Sequence, residues 1–99
     1  MTRFRLTPAA QDDLDDIWDH TAATWSVEQA ERYIYLLRDR IVALAAGRSV
    51  AQRADEIKPG YRRSLVGAHV IFFRQEPGDA LTVVRILHQS MDATRRLPD

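Results

Sequence analysis

Ala68-His69-Val70-Ile71-Phe72-Phe73-Arg74-Gln75, then Pro77-Gly78-Asp79, then Ala80-Leu81-Thr82-Val83-Val84-Arg85-Ile86-Leu87 is the stretch that decides the fold of this 99-residue chain. Two runs rich in β-branched and aromatic residues read as strands. The Pro and Gly between them are placed for a type II turn, and so short a connection forces antiparallel pairing. A further strand, residues 61–66, precedes them across Gly67 and pairs in the same way. Before it, Lys58-Pro59-Gly60 is turn chemistry that closes residues 48–60, which show no clear period and read as a loop.

Toward the N-terminus the hydrophobic period lengthens from two to 3.6. Thr7 is placed as an N-cap and Pro8 at the first helical position, where its missing N–H costs nothing. Ala10, Leu14, Ile17, Trp18, Thr21 and Trp25 then fall within one apolar arc of roughly 100°. Asp12, Asp13, Asp15, Asp16 and Asp19 are assigned to the opposite, solvated face, as is His20. Ser26-Val27-Glu28-Gln29 reads as a capping box that opens a second helix. Its buried stripe is Ala30, Tyr33, Ile34, Leu37, Ile41 and Leu44, with Gly47 as C-cap. The two helices form an antiparallel hairpin, and Tyr35 and Leu36 lie off the stripe as exposed apolar residues. Phe4-Arg5-Leu6 reads as an edge strand. The expected order is β-α-α-β-β-β: an α+β fold in one domain, residues 1–99, with the helical hairpin packed on one face of an antiparallel sheet.

The strands pose a problem that bears on function. Val70-Ile71-Phe72-Phe73 is apolar at both parities, and Leu81, Val83 and Leu87 are matched by Val84 and Ile86. A sheet solvated on one face should alternate. Two helices cover one face, and residues 89–99 are few and mostly polar, so the reading is that a partner protein, ahead of a second copy, lies over much of the other.

Composition narrows the classes. No apolar run approaches bilayer length, and the N-terminus lacks the apolar stretch of a secretion signal. The absence of cysteine removes disulfides, thiol nucleophiles and cysteine-based zinc sites, and suits a cytoplasmic protein. Net charge is zero, divided as −3 over residues 1–47 and +3 over 48–99. That is no nucleic-acid footprint, though it suits electrostatic steering of a protein partner. No phosphate loop, dinucleotide fingerprint, nucleophile elbow or metal spacing is present, so no cofactor and no metal are expected.

The chemically interesting residues are C-terminal: Arg62, Arg63, His69, Arg74, Arg85 and His88. Arginine forks hold phosphate or carboxylate, and histidine moves a proton near neutral pH. Together they are the minimum kit for metal-free RNA cleavage. The competing, structural reading pairs Arg85 or Arg74 with an acid such as Glu56 or Asp92, and chemistry alone favours it.

Leu14-Asp15-Asp16-Ile17-Trp18, Trp25, Glu28-Gln29-Ala30 and Tyr33 resemble the helical half of ParE toxins. Pro59-Gly60-Tyr61-Arg62-Arg63, Gly67-Ala68-His69-Val70-Ile71-Phe72-Phe73-Arg74 and Arg85-Ile86-Leu87-His88-Gln89-Ser90-Met91-Asp92 resemble the sheet half. The resemblance runs from about residue 4 to 97. It departs at Ser26, where the family often has Gly, and at Phe73, where it often has Tyr. It implies the same β-α-α-β-β-β arrangement and a toxin of a type II toxin–antitoxin system. Such a toxin acts on DNA gyrase without catalytic residues of its own and is neutralised by a ParD-type antitoxin, whose DNA-binding domain reads the promoter. The residues then expected to bind the target are Arg62, Arg63, His69, Arg74, Arg85, His88, Gln89, Met91 and Asp92. Those expected to meet the antitoxin are Tyr35, Leu36, Val70 and Phe72.

The alternative on the same fold is a RelE-type ribosome-dependent mRNA endonuclease, with Arg62, Arg63, Arg74 or Arg85 on phosphate and His88 as general acid. Zero net charge and the Leu87-His88-Gln89-Ser90-Met91-Asp92 context favour the gyrase inhibitor. A third possibility is a degenerate toxin that keeps the fold and binds antitoxin without poisoning anything.

Overall fold

The computed structural model describes residues 3–98; Met1, Thr2 and Asp99, which the single-domain expectation takes in, lie outside the described residues. The elements are β1 (Arg3–Leu6), α1 (Pro8–Thr24), α2 (Val27–Ala45), β2 (Gln52–Arg53), β3 (Arg62–Val66), β4 (His69–Glu76), β5 (Ala80–His88) and α3 (Ala93–Arg96), with a tight turn at Pro77–Asp79 in which Gly78 takes the positive φ, 76°, that the expected turn asks of it. The sheet runs β1-β5-β4-β3-β2. The α+β class and the helical hairpin are as expected, but the sheet is mixed, because β1 pairs parallel with β5. Short turns dictate antiparallel pairing only between consecutive strands, and two helices intervene after β1. The stretch read as a loop contains β2, whose two residues pair with β3 and are too few to show a period.

The helix ends are set by local chemistry. Thr7 Oγ1 accepts the Ala10 N–H and donates to the Val84 carbonyl, so one hydroxyl caps α1 and ties it to β5. Ser26 Oγ accepts the Gln29 N–H at the start of α2. At its end Arg48 N–H reaches Ala43 O and Gly47 N–H reaches Leu44 O, a Schellman motif with Gly47 at φ 73°. Trp25, assigned to the buried arc, is 76% exposed. It follows the last helical residue, with φ −117° and ψ −80°, so the helical angle that placed it inward no longer applies.

Two separate clusters sandwich the sheet. On one side Ile17, Leu37, Ile41 and Leu44 meet Val66, Ile71, Phe73, Leu81, Val83 and Ile86. On the other, Phe72, Val84 and Leu87 meet Ala54, Tyr61 and Leu97, with Ile57 and Ala93 at the margin. A β-bulge explains how β5 serves both. Phe72 pairs with Arg85 and Phe73 with Val83, which leaves Val84 as the extra residue. Beyond it the parity reverses, so Ile86 joins Leu81 and Val83 under the helices, while Leu87 joins Val84 on the far side.

That second cluster corrects the expectation of a partner over the second face. The chain's own 48–60 segment and C-terminal tail supply the cover. Tyr61 is buried and its hydroxyl donates to the Pro98 carbonyl, which pins the tail across the strands. A mostly polar tail suffices because Leu97, 4% exposed, drops one apolar side chain at the centre. The cover is partial: Leu65 on β3 and Met91 after β5 stay exposed, and Val70 is half-buried.

Candidate functional site

The edge of that cover is a cleft of about 470 Å³ lined by Gln52, Ile57, Arg63, Leu65, Val70, Phe72, His88, Gln89, Met91, Asp92, Ala93 and Thr94. It gathers Arg63, Val70, Phe72, His88, Gln89, Met91 and Asp92 from the residues singled out in the sequence. Each is held by a named contact or position. Gln89 N–H donates to the Ala68 carbonyl, extending the β4–β5 pairing past the strand end, and Met91 N–H turns back to the His88 carbonyl. Asp92 caps α3 by accepting the Thr94 N–H. His88 Nδ1 accepts from the Ser90 amide, which can only donate, so the proton of the neutral ring sits on Nε2. Arg63 lies across the rim, 2.8 Å from Glu56 and 3.4 Å from the Gln52 amide oxygen. Leu65 and Met91, 56% and 44% exposed, are the open apolar groups of the cleft. Phe72 is only its floor: at 4% exposed beneath the tail it offers a partner almost no surface, which corrects its place among the antitoxin contacts.

The other basic candidates are elsewhere. Arg85 makes a bidentate pair with Asp13 of α1, Nε and Nη2 each 2.8 Å from a carboxylate oxygen. The same carboxylate accepts the Ile86 N–H at 2.9 Å. Because β1 stops opposite Val83, the rest of β5 is an open edge there, and Asp13 with Thr7 closes it. The Asp13 hydrogen bonds hold the Arg85 guanidinium above its ordinary pKa against the cost of burial. So Arg85 is a structural residue, its partner is Asp13 and not Glu56 or Asp92, and Asp13 is not on the solvated face. Arg74 lies 5.5 Å from the centre of the Tyr61 ring with its Nε buried and unpartnered. Arg62 is exposed at the start of β3.

His69 is also outside this cleft. It pairs across the sheet with His88, the two rings edge to face at 5.4 Å. It faces the α1 side, in a second cleft of about 390 Å³ with Asp16, Ile17, His20, Thr21, His88, Ser90 and Met91. All three histidines therefore meet there. No group of three or more histidine and acidic side chains among the described residues is arranged to hold a metal ion. Tyr35 and Leu36, 63% and 56% exposed, lie on α2, across the sheet from the Arg63–Met91 cleft.

Comparison with known proteins now bears on the whole chain. The family model described as "ParE toxin of type II toxin-antitoxin system, parDE" matches residues 4–93. The chain belongs to the ParE toxin family. It is 44% identical over 96 residues to Toxin ParE1 of Mycobacterium tuberculosis, covering 97% of this chain and 98% of that relative. It is 39% identical over 97 residues to Toxin ParE1 of Caulobacter vibrioides, with 98% and 99% covered, and 36% identical over 99 residues to Toxin ParE of Escherichia coli, with 100% and 96% covered. A chain of the solved structure "Chromosomal ParDE TA system from P. aeruginosa" superposes with a TM-score of 0.74 over 89% of this chain and 96% of that one. At 23% identity that likeness establishes the shared fold.

Two residues of this ParE toxin carry more of the site's architecture than its sequence suggested. Asp13 was legible in principle, since it stands three residues after Ala10 and four before Ile17, both buried, and so borders the inward stripe. Tyr33 is the other. Its hydroxyl contacts the Val66 carbonyl (3.1 Å), the Ala68 amide (3.2 Å) and His69 Nδ1 (2.6 Å), gathering the β3–β4 turn onto α2. Gly67 permits this approach. A Cβ there would sit 2.8 Å from the Tyr33 oxygen, and φ is +57°.

Proposed function

We propose that this ParE-family toxin inhibits DNA gyrase by binding it, performs no catalysis of its own, acts in the cytoplasm and is neutralised by a ParD-type antitoxin. One observation carries the non-enzymatic reading. Of the four arginines that a nuclease could spend on phosphate, Arg85 and Arg63 are held by the chain's own acids, Asp13 and Glu56, and the other two do not line the cleft: Arg74 lies against the Tyr61 ring and Arg62 is exposed at the start of β3. What the cleft presents instead is an apolar rim, Leu65, Val70 and Met91, flanked by His88 and Gln89, which suits a protein surface. The description of the structural relative as a ParDE system supports a ParD-type partner. Tyr35 and Leu36, exposed on the opposite side of the molecule, are the contacts assigned to that antitoxin.

The test is a gyrase supercoiling assay with purified toxin, run beside a ribosome-bound mRNA. Supercoiling is expected to stop and the mRNA to stay whole, with Met91→Ala weakening inhibition. Site-specific mRNA cleavage that disappears in His88→Ala would replace this reading with the RelE-type endonuclease. Normal supercoiling with intact mRNA would make this copy a degenerate toxin.

A further inference from the structure

The cleft on the α1 side holds a titratable group, His69, that the Arg63–Met91 cleft does not contain. His69 is half-buried, wedged between the Tyr33 ring and the His88 ring, each centred 5.4 Å away. Its Nδ1 is already engaged, at 2.6 Å, by the Tyr33 hydroxyl. Across the cleft α1 contributes Ile17, His20, Thr21 and Asp16. We propose that this junction is a pH-sensitive latch: protonation of His69 loosens α1 and the Tyr33-bound β3–β4 turn from the end of the sheet.

The reason is that none of the described acids makes an ion pair with His69. A second proton on the His69 ring puts a full charge in half-buried space, where desolvation opposes it. The groups that face it come from every neighbouring element. From α1 they are Asp13, Asp16 and His20, from α2 Tyr33, and from β5 His88. Two of these, His20 and His88, are imidazoles, whose charged form repels a cation on His69. Asp13 attracts it, but both its oxygens are committed to Arg85 and the Ile86 amide. Asp16 is exposed to water, where its field is screened. Tyr33 is neutral at these pH values, its own ionisation pushed up by burial. Burial, with His88 and His20, accordingly holds His69 below the ordinary histidine value of 6.5, against the opposing pull of Asp13.

The direction of the response follows by linkage. The unfolded chain takes a proton at His69 near pH 6.5, while the folded chain resists it. The stabilisation is therefore complete above that pH and declines as pH falls through it. Water reaches the charge by parting Ile17 and Thr21 from the strands and freeing Tyr33 from Val66 and Ala68. Because His88 and Met91 line both clefts, the loosening also reaches the edge of the Arg63–Met91 cleft.

Urea unfolding of the intact toxin between pH 7.5 and 5.5, above the carboxylate range, tests this against His69→Asn, which keeps a donor near Nδ1 and cannot titrate. The wild-type unfolding constant is expected to rise as pH falls, by about tenfold for each pH unit by which folding lowers the His69 pKa. The variant should be much flatter. Parallel profiles, or a flat wild type, overturn the latch. Should His69→Asn fail to fold, the His69 Cε1–H resonance of the wild type gives the answer by NMR. A midpoint below 6.5 that rises in His20→Gln supports the latch, and a midpoint at or above 6.5 ends it.

Discussion

On one side of the sheet, Ile71, Phe73, Val83 and Ile86 meet two amphipathic helices of 17 and 19 residues; on the other, Phe72, Val84 and Leu87 meet a loop, a tyrosine and a tail whose only helix has four residues. Both sides are dry at the centre. They differ in how the cover is anchored. The helices bring continuous stripes, two side-chain caps and the Asp13–Arg85 seam, whereas the tail is held by Leu97, the Tyr61–Pro98 hydrogen bond and a longer one, 3.3 Å, from Arg85 Nη1 to the Arg96 carbonyl. A cover made of short pieces ends abruptly, and its margin is where Leu65, Val70 and Met91 remain open. In this molecule the candidate site is the rim of the weaker roof.

Mutations that probe this contrast rank by expected cost. Leu37→Ala, at a fully buried position under the helices, should cost about 2–5 kcal/mol in chemical denaturation. Asp13→Ala should follow at about 2–4 kcal/mol, since it strips Arg85 and the Ile86 amide of their shared acceptor at once. Arg85→Ala should cost less, because Asp13 keeps the Ile86 N–H. The reverse order would mean that the guanidinium, and not the edge of β5, is what the seam protects.

Leu97→Ala sharpens the comparison most directly. Its cost should be near 2 kcal/mol, at the low end for a buried leucine because the tail can relax. Binding of a hydrophobic dye should rise as Phe72 and Val84 become accessible. Unchanged stability and dye binding would show that the tail is no roof. The smallest effects belong to Tyr35→Ala and Met91→Ala, each within about 0.5 kcal/mol of wild type on stability. Their consequences should separate in function, with antitoxin affinity lost in the first and gyrase inhibition in the second. Loss of both activities in either variant would merge the two surfaces into one.

Much of the helix side was legible beforehand. Thr7-Pro8, Ser26 and Gly47 mark their helix ends because caps act within a turn of their own residue. Ala30, Leu37, Ile41 and Leu44 sit on their predicted stripe because 3.6-residue periodicity is a local property. Trp25 was misplaced by one residue of helix. Asp13 was misassigned because its partner, Arg85, is 72 residues away. On the other side, apolar residues at both parities correctly announced that both faces of β4 and β5 are covered. Nothing local said by what. Leu97, Ile57 and Ala54 are single apolar residues in polar surroundings, and no period singles them out.

The sequence by itself determined the two long helices with their capped ends, the four longer strands, the pairing of the consecutive ones and the family, all of which follow from neighbours a few residues apart or from segments in order. Only the tertiary structure decided that β1 joins β5 in parallel, that a bulge at Val84 deals Ile86 and Leu87 to opposite faces, that Asp13 claims Arg85, and that the tail roofs the second face. Each of those turns on groups far apart in the chain competing for the same hydrogen bond or the same dry surface, and that competition is settled by geometry in three dimensions.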